Sequence, residues 1–256
     1  MNTISPKNLK EILSKHAKWM RGEKGGERAN LNGASLDGAS LCGASLCGAS
    51  LDGASLCGAS LDNALLDGAS LDGASLCDAS LRGASLRGAS LRGASLDGAS
   101  LCDASLDGAS LCYASLNKAS LDGASLVGTS LDGALLDSIT LEIINKFYPM
   151  VCPEFGAFIG WKKVDGKYIV KLKITETAKR SSALGRKCRC NKARVLAIEN
   201  KDGTSANITT IESDYDENFK YTVGKIVCVD DFDENRMNEC SPGIHFFITR
   251  QEAVDY

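Results

Sequence analysis

The sequence predicts a mainly β chain built around a tandem-repeat solenoid, with an amphipathic helix before it and a small β-rich α+β domain after it. Three observations carry this: a five-residue period in leucine over nearly half the chain, helically spaced apolar residues upstream, and an ordinary mixed composition downstream. The expected boundaries are a helical cap at 1–28, repeats at 29–142, a closing segment and linker at 143–150, and the last domain at 151–256.

From Leu31 to Leu141 a leucine recurs at every fifth position, giving about 23 units of the form Ala-Ser-Leu-x-Gly. On an α-helix a step of five turns about 500°, so the leucines would smear around the surface; on a straight strand an odd period sends alternate leucines to opposite faces. A short extended segment that turns a corner once per repeat fits, because Ala and Leu stand two apart and share one face while Ser and x share the other. Leucine and alanine therefore line an interior. Glycine follows x, where a type II turn requires positive φ. Asn63, Asp78 and Asp103 replace it with the next most tolerant residues, whereas Tyr113, Lys118 and Ser138 break the rule and predict a different turn at those three corners.

These units resemble the pentapeptide-repeat proteins, written A(D/N)Lxx, with Ser here where Asp or Asn is more usual. The resemblance implies a right-handed quadrilateral β-helix with four repeats per coil. Read in columns of twenty, the outward x positions are mostly acidic. Asp52, Asp72 and Asp132 fall in one column, Asp62 and Asp122 in another, Asp67 and Asp107 in a third, and together they are a candidate interaction surface. Arg82, Arg87 and Arg92 stand one coil beyond Asp62, Asp67 and Asp72, which predicts a belt of inter-coil ion pairs, each contributing under about 1 kcal/mol. Cys57 and Cys77 also stack one coil apart, but lateral strand pairs seldom meet disulfide geometry, so free thiols are expected.

The net charge of −3 conceals an asymmetry of +4 over 1–28, −9 over 29–142 and +2 over the remainder. Six of the eleven cysteines occupy the x position, which points to a reducing compartment. The N-terminus has Lys7 and Lys10 where a signal peptide needs an apolar core, so a cytoplasmic setting is expected, without membrane contact.

A stacked solenoid needs closed ends. Ser5-Pro6 supplies an N-cap and a favoured first helical residue, after which Leu9, Ile12, Leu13, Ala17 and Met20 follow helical spacing. At the other end Ile139, Leu141, Ile143, Ile144 and Phe147-Tyr148-Pro149-Met150 are expected to cover the last coil.

Beyond 150, Phe158–Val164 and Lys167–Ile174 flank Asp165-Gly166 and read as a hairpin with a type I′ turn. Strands follow at 193–198, 225–229 and 244–248, and Thr249-Arg-Gln-Glu252 is a capping box. CPEFGAFIGWKK, KRSSALGRKCRC and SPGIHFFITRQEAVDY resemble an uncharacterised domain that follows pentapeptide repeats in bacterial and phage proteins, a resemblance that implies no activity. Cys240 with His245, or Cys152, is a candidate nucleophile site, outweighed by the reading of a core histidine and buried cysteines. Cys152, Cys188, Cys190 and Cys240 are a candidate zinc set, although C-x-C is not the usual knuckle spacing. Lys179, Arg180, Arg186, Lys187 and Arg189 form a candidate basic patch for phosphates, against the commoner solvated loop.

The function expected is a non-enzymatic structural or protein-interaction module, a rigid rod presenting the last domain to a protein partner, without cofactor, metal or direct nucleic-acid contact. Two alternatives stand beside it. The resemblance implies that a DNA-mimicking modulator of a type II topoisomerase such as DNA gyrase is one; a thiol- or metal-dependent activity in the last domain is the other.

Overall fold

The computed structural model describes residues 2–148, 150–182, 184–216 and 218–256, with side chains at all of these except 2, 3 and 147. The chain is mainly β with few helices, and it divides into two compact units, Met1–Pro149 and Met150–Tyr256.

In the first unit α1 (Pro6–Met20) starts where the Ser5 hydroxyl accepts the Asn8 N–H. It buries Leu9 and also His16, which helical spacing of apolar residues alone did not single out. The His16 Nδ1 accepts the Ala29 N–H at 3.1 Å and its ring stacks on Trp19. Met20, expected to face inward, is 41% exposed. Gly26 runs hard against the end of α1, where a Cβ would lie 2.3 Å from the Trp19 nitrogen, so only glycine allows the chain to turn back there. A short strand β1 (Asn2–Thr3) pairs in parallel with β2 (Ala34–Ser35).

Through the repeats the chain forms parallel bridges between residues twenty apart, from Asn30 with Ser50 to Ser115 with Leu135. Four pentapeptides therefore separate stacked partners. Leu31 to Leu131, at every fifth position, are each at most 4% exposed, so one leucine layer fills the interior of the β-helix. The corners have the expected type II form: Ala34 N–H bonds Leu31 C=O at 3.0 Å across Gly33 at φ 62°. Asn63, Asp78 and Asp103 take the same left-handed conformation.

Tyr113 and Lys118 take it too, both at φ 60°, which overturns the different turn expected there. Stacking imposes the corner: Tyr113 N–H bonds Asp132 C=O at 2.8 Å, and Lys118 N–H bonds the Asp137 carboxylate at 2.7 Å. A side chain at positive φ costs on the order of 1–2 kcal/mol, less than losing a main-chain bond on each side of a stacked corner. The third corner does not form at all, because α2 (Ser138–Phe147) begins at Ser138 with Asp137 as its N-cap.

The last turn of a stacked solenoid leaves main-chain groups without a following coil. Tyr148 answers two of them: its hydroxyl accepts the Leu126 N–H at 2.8 Å and donates to the Ala124 carbonyl at 2.7 Å. Ile144 is fully buried, whereas Ile139, expected to help cover the coil, is 68% exposed. The parts assigned to the Phe147 side chain and Pro149 lie outside the described residues. Tyr148→Phe is expected to destabilise the repeat unit by about 1–3 kcal/mol, the cost of stranding a buried donor and acceptor, read as a lower urea midpoint.

In the second unit β3 (Phe158–Val164) and β4 (Tyr168–Ile174) form the expected hairpin, with Asp165 and Gly166 at φ 53° and 58°. With β7 (Lys192–Asn200) and β10 (Ile226–Cys228) they make an antiparallel sheet ordered β10-β7-β4-β3. A second sheet is ordered β11-β6-β5, from β5 (Arg180–Ser182), β6 (Cys188–Cys190) and β11 (Ile244–Phe246). Reciprocal main-chain bonds between Trp161 and Phe247 tie the two sheets together. A hairpin of β8 (Thr210–Glu212) and β9 (Lys220–Thr222) and the helix α3 (Arg250–Asp255), opened by the expected capping box at Thr249, complete the unit.

Candidate functional site

The outward layer of the repeats has a ladder that the sequence reading did not foresee. Where a further coil follows, the x carboxylate reaches along the column to it and accepts two hydrogen bonds. Asp52 takes the Ser70 hydroxyl at 2.5 Å and the Asp72 N–H at 3.1 Å, and Asp72 does the same with Ser90 and the Arg92 N–H. Asp62, Asp67 and Asp107 repeat the pattern. Asn32 shows that the charge is dispensable, since its amide oxygen accepts from Ser50 and from the Asp52 N–H. Thiols fit the same slot: Cys57 bonds the Ser75 hydroxyl at 3.0 Å and Cys77 that of Ser95 at 3.1 Å, both thiols free.

Two expectations change as a result. The Asp carboxylates opposite Arg82, Arg87 and Arg92 accept those residues' main-chain N–H groups, and no ion pair joins their side chains among the described residues. Arg87 Nε turns the other way, to the Ser105 hydroxyl at 3.0 Å. The belt is therefore a main-chain ladder. Of the seven carboxylates singled out, Asp122 and Asp132 alone make no such side-chain bond among the described residues, because the chain turns helical before a further coil can supply partners. Asp72→Ala is expected to cost about 1–2 kcal/mol through two lost hydrogen bonds, whereas Asp72→Asn keeps the Oδ1 that accepts both and should leave the urea midpoint nearly unchanged.

The basic patch does not assemble either. Arg180 donates to five main-chain carbonyls, those of Pro153, Gly156, Thr175, Glu176 and Ala178, and so ties the β5 region to neighbouring loops. Arg189 is 3% exposed, donates to the Asn235 carbonyl and lies over the Phe232 ring. Lys179 pairs with Glu234 and Arg186 with Glu252. Lys187 points elsewhere, into a cleft.

That cleft, of about 760 Å³, is lined by Lys162, Lys187, Tyr221 and His245 and also by Asp216, Asp230 and Asp231. A cavity of about 70 Å³ shares Lys162, Lys187, Tyr215 and His245 with it. Lys162 is the unusual member. Successive strand residues face opposite sides, so Gly160, Lys162 and Val164 of β3 share the face that packs on Val170 and Leu172. Lys162 is thus 8% exposed, with its ammonium 5.9 Å from the centre of the Tyr221 ring and no hydrogen bond or ion pair among the described residues. Burial pulls its pKa down to about 8, against the raising influence of Asp214 and with Lys187 adding like charge. Gly160, on the same face, lets the Phe246 ring pack against the strand, since a Cβ there would meet that ring at 2.6 Å.

His245 Nε2 is buried without a partner. Burial holds the ring pKa down at about 4, reinforced by Lys187, Lys162 and Arg189. The unfolded chain therefore binds the extra proton first, and the unit's stability is full above about 6.5 and falls as pH drops toward about 4. His245→Gln should flatten that decline in a series of urea midpoints.

The thiols of this domain fall into an exposed pair of positions and a buried group. Cys240 and Cys228 are exposed at the cleft. Cys152 and Cys188 are buried together, the contact lowering the Cys152 pKa and raising that of Cys188. Among the described residues no group of three or more His, Cys, Asp or Glu side chains comes together as a metal site. No helix among them is long and apolar enough to cross a membrane.

The family model described as Pentapeptide repeats (8 copies) matches 27–63, 59–98 and 99–138. Residues 27–138 are pentapeptide repeats. After them, a model described as Family of unknown function (DUF5758) matches 148–253. Among solved structures, a pentapeptide repeat protein from the cyanobacterium Cyanothece 51142 is 24% identical over 50% of this chain and 99% of its own, with a TM-score of 0.39. One from Nostoc PCC 7120 is 28% identical over 53% and 98%, at 0.37. One from the Arabidopsis thaliana thylakoid lumen is 27% identical over 47% and 77%, at 0.34. No curated protein matches the chain.

The pentapeptide repeats therefore account for the ladder, while the Lys162 cleft lies wholly in the domain that follows. Sequence reasoning named Lys187, Cys240 and His245 but missed Lys162, Tyr221 and Asp214. Alternation held the missing signal: in Phe-Ile-Gly-Trp-Lys-Lys-Val, one of two adjacent lysines must face the core.

Proposed function

We propose that this chain is a non-enzymatic binding protein, in which a right-handed, four-sided β-helix closed by a helix at each end is the rigid body and the C-terminal domain takes its ligand in the Lys162 cleft. The observation that carries the reading is the unpaired ammonium of Lys162 on the inward face of β3. A lone charge in that position costs stability, and a bound group that pairs with it offsets the cost. The pentapeptide repeats support the structural half, since their leucines fill the interior and their carboxylates serve the ladder. Family membership of this kind goes with structural or protein-interaction roles.

The test is equilibrium dialysis of the full-length protein and its Lys162→Met variant against a small-molecule cell extract, read by mass spectrometry. A compound enriched by the wild type and lost with the variant is expected; equal retention by both would remove the reading.

A second reading, a DNA-mimicking modulator of a type II topoisomerase, is favoured by one observation: the ladder holds carboxylates in fixed rows along a segment of net charge −9. Arg82, Arg87 and Arg92 interrupt those rows. DNA gyrase supercoiling unaffected by micromolar full-length protein would sink it.

A further inference from the structure

We propose that the Lys162 cleft is a site for a small oxyanion, a phosphate or carboxylate carried on a flat ring, with the anion between Lys162 and Lys187 and the ring against Phe219. The proposal rests on the reading of this cleft as the binding site and adds the class of ligand.

The geometry gives each part. Lys162 is more than nine-tenths buried, without a hydrogen bond or ion pair among the described residues, and lines both the cleft and the smaller cavity beside it. Lys187 lines both as well, and among the described residues its ammonium meets neutral groups, the Tyr256 hydroxyl at 3.2 Å and the ring beneath it. Two ammonium groups thus line one space, and Asp214, which lines the smaller cavity with them, accepts the Asp165 main-chain N–H at 2.6 Å and forms no ion pair with either among the described residues. The buried Nε2 of His245 is a third polar group there without a partner. An anion supplies the counter-charge that the fold withholds.

Phe219, half-buried at the lining of the cleft, offers apolar area to a ring, and Tyr221, 2% exposed, backs it edge to face at 5.3 Å between ring centres. The volume of about 760 Å³ suits a ligand of several tens of atoms at most, well beyond a bare ion. Asp216, Asp230 and Asp231 repel a second anionic end and accept hydrogen bonds from hydroxyl or amino groups, so one anionic end per ligand is expected.

The probes are phenyl phosphate, benzoate, inorganic phosphate and phenol, titrated calorimetrically into the full-length protein. Phenyl phosphate or benzoate is expected to bind about tenfold or more tighter than inorganic phosphate, with phenol weakest, and Lys162→Met and Lys187→Met should each weaken it by about tenfold or more. At pH 8, with Lys162 half charged and facing Lys187, Asp214, His245 and Tyr221, anion binding should draw in protons. The heat then changes with the buffer's ionisation enthalpy in the wild type and not in Lys162→Met. No saturable binding of either aromatic anion, or equal binding by the Met variants, overturns the proposal. If dialysis against extract still yields a Lys162-dependent compound, the cleft stands as the site and only the ligand class falls.

Discussion

Lys162→Met should make the C-terminal domain more stable, by roughly 1–3 kcal/mol at neutral pH. The physical reason is a charge removed from an inward-facing strand position opposite Val170: methionine keeps most of the stem's volume and loses the ammonium, with its contact over the Tyr221 ring. A pKa lowered from 10.5 to about 8 measures how much the native environment disfavours that charge, each unit being about 1.4 kcal/mol before relaxation is allowed for. The sign runs one way. Between pH 8 and 10.5 the unfolded chain holds the proton more tightly, so the wild-type domain gains on its variant as pH rises through that window. Urea unfolding followed by Trp161 fluorescence in a Trp19→Phe background isolates this domain. A variant less stable than the wild type at pH 7 would mean that Lys162 has a partner within the fold.

Leu91→Ala has the larger cost expected in the repeats, about 3–5 kcal/mol. Leu91 and its column neighbours Leu71 and Leu111 are fully buried, and the stacked main-chain bonds on both sides prevent the coil from collapsing into the void. Because each coil contacts only its neighbours, the loss should appear as a lower midpoint and a broader transition for the whole repeat segment. Ser90→Ala, one residue away and facing outward, removes a single hydroxyl donor to Asp72 and should cost about 1 kcal/mol or less. Circular dichroism across a urea series separates the two; similar midpoints for both variants would deny the leucine layer its role.

How much of this was legible follows from what each period constrains. The leucine period dictates the interior and the glycine period dictates the corners, since each concerns one residue and its own backbone. The ladder depends on residues 18 and 20 apart, a relation visible only once the coil closes, which is why Asp62 and Arg82 looked like an ion pair and proved to be joined through the Arg82 N–H. Tyr113 and Lys118 show the same limit, their φ being set by stacked neighbours over their own preference. In the last domain the Asp165-Gly166 turn and the Thr249 capping box were readable because they are local. Strands β5 and β6 were not, because a three-residue strand carries too little alternation, and Arg180 read as surface charge although five carbonyls hold it. Of the candidate site, His245 and Lys187 were visible as residue types, but the cleft that unites them with Lys162 is a product of strand order.

The most direct test of the account is the titration of the Lys162 side chain by NMR of the full-length protein, its resonance assigned by comparison with Lys162→Met. The account predicts a midpoint near 8 that moves upward when the cleft is saturated with phenyl phosphate. A midpoint near the ordinary 10.5, unmoved by the anion, would contradict it.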